Sequence, residues 1–105
     1  MSISGYDADV FDAVEYGDYE QVHCLIDNGN DVDRFIDINV QDTRGTTLLM
    51  LAAYSGFTNI VRLLLGRGAD PNLKDNQGRT ALMQAKQAGQ THIIELLQQS
   101  GAIEA

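Results

Sequence analysis

The feature that most constrains this chain is that its second half repeats itself at a fixed distance. Gly45-Thr-Thr-Leu-Leu-Met-Leu-Ala-Ala53 aligns with Gly78-Arg-Thr-Ala-Leu-Met-Gln-Ala-Lys86. Gly56 aligns with Gly89, Ile60 to Leu64 with Ile93 to Leu97, and Gly68-Ala69 with Gly101-Ala102, every pair 33 residues apart. A weaker third copy lies upstream at an offset of 39, where Val10, Phe11, Ala13, Gly17, Val22, Cys24, Leu25 and Gly29 match Leu49, Met50, Ala52, Gly56, Val61, Leu63, Leu64 and Gly68. Past Gly29 the offset returns to 33, since Asp37-Ile-Asn39 matches Asp70-Pro-Asn72. About six residues are therefore inserted within 30–36. A period of this length is the signature of a solenoid, whose units bury their apolar faces only by stacking.

Each unit reads as two short helices. Thr47 and Thr80 stand before apolar runs, where a threonine oxygen can accept from an otherwise unpaired N–H of the first turn. Gly56 and Gly89 end the first helix, because the left-handed conformation needed there costs glycine least. Ile60, Val61, Leu63 and Leu64 put one apolar face on a second helix that ends at Gly68. Asp42-Thr-Arg-Gly45 and Asp75-Asn-Gln-Gly78 carry turn chemistry between units.

Taken together, these residues resemble the ankyrin-repeat family. Its pattern of Ala-Ala, Gly, an Ile/Val-Val-x-x-Leu-Leu helix and Gly-Ala-Asp-x-Asn is fullest in the middle unit, at Ala52-Ala53, Gly56, Ile60 to Leu65 and Gly68 to Asn72. The third unit matches to Ala102, the first only in its core positions, and coverage runs over about residues 6–104. The resemblance implies an all-α ankyrin-repeat solenoid of three stacked helix-turn-helix units joined by β-hairpin-like loops. It forms one domain over 1–105, with repeats at about 6–38, 39–72 and 73–105. Two departures stand out. The family's proline is Leu48 and Ala81 here, and its histidine is Met50 and Met83. The inter-repeat hydrogen bonds of that histidine are therefore lost, which implies a looser stack in which methionine fills the space. Polar residues on both outer faces, Gln84, Lys86, Gln87, Gln98 and Gln99 at one end and Asp9, Asp12, Glu15, Asp18 and Glu20 at the other, predict a complete stack capped at each end.

Charge is distributed unevenly. The net charge is −8, but residues 1–42 hold eleven acids and one base, Arg34, whereas the remainder carries a small positive excess. Such a field opposes nucleic acid and anionic membranes. It leaves two readings of the acidic end: a solvated face that keeps the protein soluble, or a docking face for a basic partner. No apolar stretch approaches the roughly 20 residues that span a bilayer. The N-terminus lacks the basic start of a signal peptide, and the single cysteine, Cys24, excludes an internal disulfide. A cytoplasmic location is expected.

No catalytic set emerges. His23 and His92 fall at different positions of their units and read as surface or boundary residues, and Cys24, matched to Leu63 and Leu96, reads as a small core residue. Asp31, Asp33, Asp37 and Asp42 fail the calcium-loop pattern, because Phe35 and Ile36 stand where a ligand and a glycine are required. Neither a metal, a cofactor nor an enzymatic activity is expected.

In ankyrin-like proteins the loop tips and the exposed face of the first helices form a concave binding surface. Transferred residue by residue, the resemblance implies partner contacts at Asp12, Glu15, Tyr16, Arg44, Thr46, Leu51, Tyr54 and Arg79, with Tyr54, Arg44 and Tyr16 as anchors. Tyr16 and Tyr54 have an alternative role, covering helix junctions. Arg34 and Phe35 of the insertion join the surface if that loop projects, and leave it if Phe35 and Ile36 tuck back on the stack. The function expected is a small adaptor or inhibitor that binds a partly basic protein and is itself a monomer or weak homo-oligomer. The alternative is a structural subunit that self-associates through the same face.

Overall fold

The computed structural model describes the backbone over residues 5–26 and 37–102, with side chains from Val10 onward in these segments. Among the described residues there are six helices: α1 (Gly5–Glu15), α2 (Tyr19–Ile26), α3 (Leu48–Ser55), α4 (Thr58–Gly66), α5 (Ala81–Ala88) and α6 (Thr91–Gln99). No β-strand is present among them, only an isolated antiparallel bridge between Gln41 and Thr47. The helices pair as α1–α2, α3–α4 and α5–α6. The first helices form an inner row, α1 on α3 on α5, and the second helices an outer row, α2 on α4 on α6.

Local chemistry sets the helix ends. Thr47 Oγ1 accepts from the Met50 N–H at 3.1 Å, and Thr80 Oγ1 from the Met83 N–H at 3.3 Å. The first of these caps is reciprocal, because the Thr47 N–H donates to Met50 Sδ at 3.5 Å, so a thioether takes the place usually held by a Glu or Gln side chain. Met50 thus does more than fill the space of the family's histidine. Gly17, Gly56 and Gly89 all take positive φ, at 71°, 84° and 72°, which supports the 39-residue alignment of the first copy. Helix α4 stops earlier than its sequence implies. α4 ends at Gly66, and the Ala69 N–H closes back onto the Leu64 carbonyl at 3.0 Å around left-handed Gly68.

The core runs through the stack between the two rows. Val10, Val14, Leu48, Leu49, Met50, Ile60, Leu64, Leu82, Ile93 and Leu97 are fully buried. Each large aliphatic among them contributes about 1.5–3 kcal/mol relative to exposure. Helix α3 is apolar nearly all round because it is packed between α1 and α5 as well as on α4.

The matched position of Cys24, Leu63 and Leu96 shows what a unit's place in the stack does. Leu63 is buried, Leu96 half-buried and Cys24 exposed, so Cys24 is not the core residue its alignment suggests. Among the described residues only the middle unit has helix pairs packed on both sides of it. Gln84 departs the other way: expected on an exposed outer face, it is only 7 % exposed, with its amide turned onto Asp75.

Candidate binding surface

The loops that precede α3 and α5 fold as matched fingers. Asp42 Oδ1 accepts from the N–H groups of Arg44 and Thr46 at 2.8 and 2.9 Å, and Asp75 Oδ1 from those of Gln77 and Arg79 at 2.9 Å each. In each finger the turn closes on a left-handed glycine, Gly45 or Gly78. The two fingers are tied together. Asn76 donates its N–H to the Arg44 carbonyl and its Nδ2 to the Thr43 carbonyl, both at 3.0 Å. Gln41 Nε2 bridges the Gly45 and Lys74 carbonyls at 2.9 Å. A Cβ at Gly45 would stand 2.7 Å from the Asn76 N, so the approach of the fingers depends on glycine there.

The matched aspartates differ in what surrounds them. Asp75 is buried, and its Oδ2 accepts from Arg79 Nε at 3.0 Å and Gln84 Nε2 at 3.4 Å. Burial works to raise its carboxyl. The N–H groups of Arg79 and Gln77 and the Arg79 guanidinium outweigh burial and hold the group below the ordinary carboxylate range. In the preceding unit, Thr46 and Leu51 occupy the positions of Arg79 and Gln84. Asp42 accordingly keeps the turn but has neither of those two side-chain partners.

Between the fingers and the inner row lie two cavities. The first, of about 190 Å³, is lined by Phe11, Asp12, Glu15, Asp42, Arg44, Thr46 and Leu51. The second, of about 260 Å³, adds Tyr54, Asn76, Gln77, Arg79, Asp75 and Gln84 to the same Arg44, Thr46 and Leu51. The two cavities adjoin at these three shared residues, side by side along a groove. Of the sequence-derived contacts, Asp12, Glu15, Arg44, Thr46, Leu51, Tyr54 and Arg79 come together along it. Tyr54, which lines the second cavity alone, is 52 % exposed. Tyr16 lines neither cavity; at 82 % exposure it also covers little of any helix junction. Arg34 and Phe35, with the rest of the insertion, lie outside the described residues. Phe11 and Asp42 belong to the groove although the sequence marked one as core and the other as turn. Their common signal was position, on the inner helix of one unit and at the finger base of the next.

Among the described residues no group of three or more His, Cys, Asp or Glu is placed to hold a metal, and no helix is long and apolar enough to cross a membrane.

Comparison with known proteins places this architecture. The model for ankyrin repeats in three copies matches residues 10–104. The chain belongs to the ankyrin-repeat family. Ankyrin repeats are protein–protein interaction modules, a family that acts by binding and not by catalysis. The chain is 38 % identical over 60 residues to "Ankyrin repeat domain-containing protein 29" of Homo sapiens, and 40 % identical over 61 residues to the protein of the same name from Danio rerio. These matches cover 57 % and 58 % of this chain, but only 18 % and 19 % of the two relatives, so the ankyrin chain spans a small part of their length.

Proposed function

We propose that this ankyrin-repeat protein is an adaptor or inhibitor that binds a partly basic protein surface along its inner row. Its units divide at about 6–38, 39–72 and 73–105. The observation that carries the reading is Tyr54, a half-exposed tyrosine that lines the second of two adjoining cavities, which share Leu51 and are lined by charged residues. Tyrosine and arginine in such settings are frequent energetic anchors, since they offer large contact area together with a polar handle. Asp12 and Glu15, both exposed, supply the negative wall that suits a basic partner.

Affinity capture from the native cell tests the reading, with wild type compared against Tyr54→Ala, the Asp12→Lys/Glu15→Lys pair, and Arg62→Ala on exposed outer-row α4. The expected result is a partner retained by wild type and R62A and lost by the two inner-row variants. A partner captured equally by all four, or lost only with R62A, removes the inner row as the binding face.

A further inference from the structure

The two halves of the groove carry opposite charge, and the shared residue between them is a cation. Around the first cavity stand three carboxylates, Asp12, Glu15 and Asp42, and one guanidinium, Arg44. Around the second stand Arg44 and the Arg79–Asp75 ion pair, so Arg44 supplies its net positive charge. Arg44 is exposed, and its side chain has no ion-pair partner among the described residues. The substitution of Thr46 and Leu51 for the third unit's Arg79 and Gln84 creates this asymmetry, because it withholds from Asp42 the neutralisation that Asp75 receives.

Resting on the inner-row reading, we propose that the groove takes an extended partner segment of mixed charge, with a basic side chain over the first cavity and an acidic side chain between Arg44 and Arg79 in the second. A wholly basic segment would meet Arg44 and the Asp75-paired Arg79 beside Tyr54, and a wholly acidic one would meet three carboxylates beside Phe11. A segment carrying both charges satisfies both walls. Its basic group also occupies the carboxylates that would otherwise compete for Arg44, leaving the planar guanidinium to face a carboxylate. Neighbouring inner helices lie about 10 Å apart, and an extended chain rises about 3.3 Å per residue, which sets the two charges about three residues apart.

The test is an amide chemical-shift titration of the full chain with the blocked peptides Ac-Arg-Gly-Gly-Glu-NH2 and Ac-Glu-Gly-Gly-Arg-NH2, one for each chain direction. Both peptides are neutral overall, so the −8 charge of the protein draws neither of them non-specifically. One order should shift Asp42, Arg44, Thr46, Leu51, Tyr54, Gln77 and Arg79. Replacing its Arg by citrulline or its Glu by Gln should each weaken binding about twofold to fivefold. Arg44→Gln, at an exposed side chain, should abolish the preference for Glu over Gln. Two results overturn the inference while leaving the inner-row reading in place: shifts along the groove that are indifferent to charge, and no shift from either order up to roughly 10 mM. Shifts confined to α2, α4 and α6 overturn both.

Discussion

The ring of Phe57 occupies the space in which a side chain at Gly17 would begin: a Cβ there would stand 2.8 Å from two ring carbons. The contact joins the first unit to the second, and the next pair repeats it, with Gln90 lying against Gly56 and donating to the Tyr54 carbonyl at 3.4 Å. Gly17 and Gly56 therefore serve twice, as left-handed terminators and as the seats for the following units.

Gly17 and Gly89 separate these two roles, because both have φ near +71° but nothing lies within 4 Å of a Cβ at Gly89. Gly89→Ala should cost about 1 kcal/mol, the strain of a left-handed alanine. Gly17→Ala should cost about 1 kcal/mol more, from crowding against Phe57. Urea unfolding measures both, and the excess at position 17 should vanish in a Phe57→Ala background.

Asp75 gives the stability a defined acid dependence. Its folded carboxyl titrates below its unfolded value, so its contribution is complete above the unfolded pKa of about 3.9 and is lost as pH falls through the lower folded value. Asp75→Asn should flatten this acid limb of the stability curve and leave the neutral-to-basic limb unchanged. Asp75→Ala at pH 7 should cost about 1–3 kcal/mol by stranding the finger's donors, more than Asp42→Ala, whose carboxylate is half-buried and, among the described residues, accepts from backbone N–H groups alone.

Cys24 is exposed, so a thiol reagent should label it completely without denaturant. Cys24→Ser should change stability by less than about 0.5 kcal/mol. Labelling that requires urea would return the residue to the core.

For the captured partner, Tyr54→Ala should weaken binding by about 2 kcal/mol with little change in Tm, since half of the side chain is already in water. Reversing Asp12 and Glu15 should slow association, and added salt should slow the wild type in the same way. Stopped-flow rates at two ionic strengths would show both effects; an on-rate insensitive to salt would eliminate steering by the acidic end.

The sequence by itself determined the helix pairs, the Thr47 and Thr80 caps, the glycine terminators and the aspartate-led turns. Each of these depends on contacts within about four positions, which residue types and spacing encode directly. Most of the groove's residues were also legible, because the repeat assigns every position a place on the unit.

What only the tertiary structure decided is which copies of a matched position are covered, and by what. Cys24 and Leu63 share a position but differ in burial because the middle unit alone is packed on both sides. Gln84 turns inward because Asp75 Oδ2, which also accepts from Arg79, offers it an acceptor in a buried place. Met50 accepts from the Thr47 N–H, a use of sulfur that residue spacing does not announce. The opposed charges of the groove likewise arise from α1 and the two fingers, segments far apart in the chain. Solvation and charge pairing act through space, so they were settled only when the units stacked.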